Sequence, residues 1–314
     1  MNIQSLRLQS IFYKLLILKN MKKVLLFILF VVLITLGILF IVQSCAVSKE
    51  QYSQNTSSAA PSPPKESAQT STEVDDAFTY LYDHRSSTHA PFGYPQDNDT
   101  LDDFIIEKSQ YILSYCGEKN SPNWVAWELN ASWLGDVPRK TGRFLIEPNL
   151  PDGYYQVTHD DYTHSGYDRG HLVRSKERTK TIEDNISTFE MGNIVPQTPD
   201  LNRGVWLRFE DYCLDKAIKE QKNMYIVAGG IFRDTITLKS EGKVVIPDSC
   251  FKIVLFSEET DPARINFDQL ETISVAMPNT AGIRGDAWEK YETTVGRIEQ
   301  STGYRFFGKV RLGE

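Results

Sequence analysis

Tyr167-Asp168-Arg169-Gly170-His171-Leu172 places a carboxylate, a guanidinium, a glycine and an imidazole on consecutive positions. Two further polar pieces lie downstream. One is Asn193-Ile194-Val195-Pro196-Gln197; the other runs Leu201-Asn202-Arg203-Gly204-Val205-Trp206-Leu207-Arg208-Phe209-Glu210. Between Asp168 and Lys180 five cations (Arg169, Arg174, Lys176, Arg178, Lys180) face two acids. The whole chain carries a formal charge of −7, which argues against tight non-specific polyanion binding. A local basic groove is nevertheless enough to steer an anionic substrate.

These residue types suit phosphodiester hydrolysis, which needs an activated water, neutralised phosphoryl oxygens and a stabilised leaving oxygen. His171 is the candidate general base, since imidazole accepts a proton near neutral pH. The backbone at Gly170 allows close approach of a substrate. Arg169 can clamp a phosphate through paired donors, and Arg203 and Arg208 add to the cationic surface. Asp168 either lies near a metal or fixes Arg169 and its loop.

Asn202 has two readings: a hard oxygen ligand for Mg²⁺, or an N-cap for the helix beyond it. Glu210 lies about two helical turns and ~12 Å further on, so contact with a shared metal through water is its natural role. Asn193 and Gln197 flank Pro196 and are expected to orient His171 or line the groove. Trp206 reads as a core residue before a base-stacking platform. The other histidines (His84, His89, His159, His164) lack such context and read as surface or loop residues.

Outward from this centre the chain divides into three parts. Residues 1–45 form a signal or membrane-anchor segment: Lys22-Lys23 precede the apolar run Val24–Val42, about nineteen residues and long enough to cross a bilayer. Met21 resembles the true start of a signal sequence. Gln43-Ser44-Cys45 resembles a lipobox, with an uncleaved anchor as the alternative; both export the remainder of the chain, to the periplasm or the cell surface. Residues 46–75, rich in Ser, Thr, Ala, Gln and Pro, read as a disordered tether. Residues 76–314 form the folded domain. Export permits one disulfide among Cys116, Cys213 and Cys250, with buried free thiols the alternative.

Within the domain, strands are expected in Asp103–Cys116 and at Trp124–Leu129, Tyr225–Phe232, Lys243–Pro247, Phe251–Phe256 and Thr272–Asn279. Helical spacing appears in Gly204–Lys222 and Asp286–Gln300. The pattern predicts an α+β fold with a largely antiparallel central sheet flanked by helices.

The Asp-Arg-Gly-His run, together with the Asn193–Gln197 and Leu201–Glu210 pieces, resembles the DNA/RNA non-specific endonucleases of the ββα-metal (His-Me finger) fold, the group containing endonuclease G. The likeness runs from about Asp102 to the C-terminus and takes in Trp124–Trp127, Tyr225–Phe232, Met277-Pro278-Asn279 and Thr302–Phe307. It implies that His171 activates water and that Asn202 binds one Mg²⁺ (or Mn²⁺). It further implies that Glu210 holds a metal-bound water, that Arg169 clamps the phosphate, and that the products carry 5′ phosphates. The substrate would be DNA, RNA or both. His171 would lie on a β-hairpin and Asn202 on the crossing helix. Arg203 and Arg208 are not residues the family pattern leads one to count on, an expected cation one turn beyond Glu210 is Leu214, and a further phosphate-binding arginine is either Arg139 or Arg143. The competing reading is a catalytically inactive lipoprotein that keeps the fold to bind nucleic acid or a partner. The joint presence of His171, Asn202 and Glu210 favours hydrolysis, and no His pair or nucleophile motif supports a protease or esterase.

Overall fold

The computed structural model describes residues 87–99, 101–239, 242–266 and 270–308. The expected anchor and tether lie outside the described residues.

Among the described residues, the main sheet has the order β1 (Phe104–Glu107), β2 (Ile112–Cys116), β3 (Ser121–Leu129), β6 (Asn223–Ile231), β7 (Ser249–Ser257), β8 (Glu271–Pro278) and β9 (Glu292–Thr293). Every neighbouring pair is antiparallel. The central strands β3, β6 and β7 are covered on both faces, and the period-two alternation of side chains sorts them into two cores. Val125, Trp127, Leu129, Met224, Ile226, Ala228, Cys250, Val254 and Phe256 point to one face. Trp124, Ala126, Tyr225, Val227, Phe251, Ile253 and Leu255 point to the other.

The first face carries the part of the chain read as functional. A single helical turn, α1 (His159–Tyr162), leads towards a separate two-stranded ribbon. In that ribbon β4 (Asp168–His171) meets β5 (Ile194–Gln197), pairing Asp168 with Gln197 and His171 with Ile194. The connection between these strands holds the short helix α2 (Ile182–Ser187), so the ribbon is not a tight hairpin. A wide turn at Leu201–Val205 leads into α3 (Trp206–Lys219). Trp206, Phe209, Cys213 and Ala217 recur at helical spacing and pack into the sheet. Burying each of the two aromatics stabilises the contact by roughly 1.5–3 kcal/mol. Gly204 is needed for close approach: a Cβ there would stand 2.8 Å from the Arg284 Cα.

Several expectations need correction. Lys243–Pro247 is no strand; it makes one bridge, Thr237 with Val245, and its amides bond irregular segments at Lys119 and Ile236. Asp286–Gln300 is not one helix. Glu292-Thr293 pairs with β8, and Thr294 then caps a shorter helix, α4 (Val295–Thr302), by accepting from Arg297 N. The helix expected from Gly204 begins at Trp206, which leaves Asn202 in the turn before it. Cys116, Cys213 and Cys250 are buried and unpaired. Burial pushes the Cys250 thiol up to about 12.

Candidate active site

β4 supplies the imidazole. His171 is 8% exposed and its Nε2, buried, has no hydrogen-bond partner among the described residues. Its ring sits between Phe144 and Phe189, with centroids 5.3 and 5.0 Å away. Burial, then the charges of Arg139 and Arg174, lower its pKa to about 3. The ring is therefore neutral and rigidly held, with one nitrogen unclaimed.

Gly170 explains how the ribbon closes: a Cβ at this position would lie 2.3 Å from Gln197 Oε1. Gln197 is fully buried against that glycine rather than lining an open groove.

Asp168 opens β4 and links the ribbon to the turn. It accepts from Asn202 Nδ2 at 2.9 Å and from Arg203 Nε at 2.7 Å. Burial opposes its ionisation, but these donors and the charges of Arg203 and Arg169 hold its carboxyl below the ordinary range. Asn202 does not cap α3: the cap position is Val205, with no side-chain bond. An ionised carboxylate only accepts, so Asn202 must turn its nitrogen to Asp168, and its amide oxygen stays available for a cation.

Glu210 is buried on α3 between two cations. Lys252 Nζ stands 3.7 Å from Oε1, and Arg174 Nε 3.6 Å from Oε2. Burial pushes its pKa up to about 7, against the opposing pull of Lys252 and Arg174. Lys252 itself is 1% exposed, with Nζ 4.5 Å from the Trp206 ring centroid and 5.2 Å from that of Trp127. Trp206 is thus core. Arg174 also bonds Asp211 at 2.6 Å. It brings to Glu210 a cation that α3 lacks at Leu214.

The arginines divide. Arg169 donates Nη2 to His159 O at 2.6 Å and to Thr163 Oγ1 at 3.0 Å, with Nε buried and unpartnered. Arg139 stacks over Phe189 at 4.8 Å, and its charge acts on His171. Arg143 instead pairs with exposed Asp160. Of the two upstream candidates, Arg139 is the one beside the imidazole.

Asn193 and Arg208 are both engaged within the protein. Asn193 is fully buried; it accepts from Val173 N at 2.8 Å and donates to the Val173 and Thr188 carbonyls at 2.9 Å. It fixes the backbone beyond His171 and does not face a groove. Arg208 is exposed, but its Nη2 donates to the carbonyls of Arg284 (2.6 Å) and Asp286, holding that loop to α3.

Sequence reading missed Lys252, Phe144 and Phe189, and took Arg174 only as part of a basic run. A lysine inside the apolar run Phe251–Phe256 was the signal for the first. One other oxygen-rich group occurs among the described residues, Asp97, Asp102 and Asp103. Asp103 already accepts from Ser114, Asn123 and Tyr304, and Asp102 from Lys119, none of which is a catalytic candidate.

Asn202 bonds Asp168 at the start of the strand that ends at His171, and the charge of Arg174, which neighbours Glu210, acts on His171. An antiparallel ribbon thus leads towards a helix, with a neutral imidazole and an unclaimed amide oxygen among arginines. Residues 86–312 match the DNA/RNA non-specific endonuclease family, and the chain belongs to that family. It is 40% identical to a nuclease of Nostoc sp. over 221 residues, covering 70% of this chain and 79% of that protein. It is 26% identical to mitochondrial endonuclease G of Homo sapiens, covering 66% and 70%. The fold is similar to a chain in a crystal structure of an EndoG/EndoGI complex, with TM-score 0.60, 22% identity, and 72% and 94% of the two chains covered.

Proposed function

We propose that the protein hydrolyses phosphodiester bonds in DNA, RNA or both, with little sequence preference and with His171 as general base. The observation that carries this reading is the unpartnered, buried Nε2 of a neutral His171 within the span that matches the endonuclease family. A base must hold a free lone pair, and this nitrogen has nothing else to accept from.

The residues fit a divalent cation of the Mg²⁺ or Mn²⁺ type. The oxygen donors are hard: the Asn202 amide oxygen left over from the Asp168 contact, and Glu210 acting through water. Such an ion, when bound, would stabilise charge on the leaving 3′ oxygen and leave 5′-phosphate products.

The chain's own groups do the rest. Phe144 and Phe189 flank the imidazole and fix its plane. Arg169 and Arg139 neutralise the phosphate, with Arg203 on the rim. Lys252 and Arg174 keep the buried Glu210 carboxylate in position. The depressed pKa of His171 arises first from burial and then from two nearby cations, and an arriving phosphate would offset the cations and raise basicity by their share alone. The apolar run before Cys45 supports export and membrane anchoring of this activity.

The test is a digest of closed-circular DNA and of RNA with Mg²⁺, with chelator, and with His171→Ala. Loss of cutting in the last two supports the reading. Cutting unaffected by either change overturns the mechanism, and no cutting under any condition favours the inactive binding protein.

A further inference from the structure

A cleft of about 410 Å³ lies beside the start of β4. Asp168, Arg169 and Arg203 line it; His171, Asn202 and Glu210 do not. It therefore adjoins the reacting groups without containing them. A space of this size suits a small organic ligand.

The walls are built in advance. Ser165 Oγ donates to the Tyr162 carbonyl at 2.7 Å and accepts from Tyr167 N at 3.2 Å, so the loop between the two tyrosines is fixed from within. His164 has φ 62° and Gly166 φ 85°, two left-handed residues in three. That region is uncommon outside glycine, with histidine among the residues that tolerate it, and it turns the chain so that His164 borders the cleft. His159 completes the wall: its Nδ1 accepts from Phe144 N at 3.2 Å, which puts the ring proton on Nε2 and makes that atom a donor.

The cleft keeps a net positive balance, with Arg169 and Arg203 against the single carboxylate of Asp168. Arg169 bonds only neutral groups among the described residues and keeps a buried, unfilled Nε–H. Arg203 is 60% exposed at its side chain and gives Nε and Nη2 to Asp168, leaving Nη1. Half-buried Tyr167 and exposed His164 add flat rings beside these cations. An anionic group joined to a flat heterocycle meets both features, and a ring face with a cationic track is how single strands are gripped. Strand geometry sets the distance: two residues along β4 separate Arg169 from His171 by roughly 7 Å, the scale of one nucleotide step in an extended strand.

We propose that this cleft seats the nucleotide adjoining the scissile phosphate, its own phosphate on Arg203 and on Arg169, which it shares with the scissile phosphate, and its base against Tyr167 and His164. This rests on the nuclease reading and deepens it, because it makes a nucleoside monophosphate a ligand in its own right, without metal.

The experiment is calorimetric titration of the full-length protein, in chelator, with a nucleoside 5′-monophosphate and separately with inorganic phosphate. The expected result is nucleotide binding at least tenfold tighter than phosphate. Tyr167→Ala should weaken the nucleotide at least tenfold and phosphate less than twofold, Tyr167→Phe should retain binding, and Arg203→Ala should weaken both. If Tyr167→Ala does not fold, His164→Ala on the exposed loop carries the same comparison, with nucleotide binding weakened selectively. Equal affinity for nucleotide and phosphate, or nucleotide affinity unmoved by the aromatic and histidine changes, overturns the proposal. The two readings fail separately. A wild-type protein that cuts nucleic acid but binds no mononucleotide loses the cleft and keeps the nuclease. One that binds the mononucleotide and cuts nothing keeps the cleft and loses the nuclease.

Discussion

Asn202 donates its side-chain nitrogen to Asp168 at 2.9 Å, and that contact decides which end of the amide is left for a metal. Asp168→Ala removes the constraint and lets the amide turn. Outer contacts of this kind commonly change metal affinity 10–100-fold, so Mn²⁺ affinity, tracked by electron paramagnetic resonance, should fall by about that factor. An unchanged affinity would show that Asn202 needs no orienting partner.

Asn193 gives a sharper distinction between holding and binding. Asn193→Ala leaves the Val173 amide and two carbonyls without their partner. A buried unsatisfied group costs about 1–3 kcal/mol, which should appear as a lowered denaturation midpoint. KM for nucleic acid should stay within about twofold of wild type in the folded protein. A large rise in KM at unchanged stability would return this residue to the substrate groove.

Gly170→Ala places a methyl group into Gln197, which is packed and cannot withdraw to solvent. Overpacking of this type costs typically about 1–3 kcal/mol. The ribbon should splay, and thermal stability and cutting should fall together. Gln197→Ala in the same chain should recover part of both, and a Gly170→Ala protein with wild-type stability would contradict the packing.

His89 provides a pH test away from the site. Burial lowers its pKa to about 4; its Nε2 contacts Ser109 O at 2.9 Å, and its Nδ1 accepts from Glu128 N at 3.3 Å. The unfolded chain binds the proton more readily between its ordinary pKa of 6.5 and the folded value of about 4. Stability from the neutral ring is therefore complete above pH 6.5 and is lost as pH falls through that window. Relative to His89→Gln, wild type should lose on the order of 3 kcal/mol across it, read from urea midpoints at a series of pH values. A difference independent of pH would show that the ring is not held neutral.

The polar groups of the candidate site could be read from the chain because they stand close together in sequence. Asp168 to His171 and Leu201 to Glu210 each carry their own local pattern, and the apolar alternation of β3, β6 and β7 announces a covered sheet. What escaped depends on long-range contact. Lys252 is aimed at Glu210 by the pleat of β7, Arg139 reaches His171 from a loop, and Phe144 closes on the imidazole from 27 positions upstream in the numbering. No local spacing encodes these meetings. The bonds of Arg208 are equally distant in sequence: its partners are carbonyls 76 and 78 residues away. The expected helix over Asp286–Gln300 failed because two residues found a better partner in the edge of β8.

The most direct measurement is anomalous diffraction from crystals of the protein soaked in Mn²⁺. The account predicts one peak within coordination distance of Asn202 Oδ1, with Glu210 reached through water and His171 Nε2 unligated. A peak coordinated by His171, or one seated only among Asp97, Asp102 and Asp103, would contradict it.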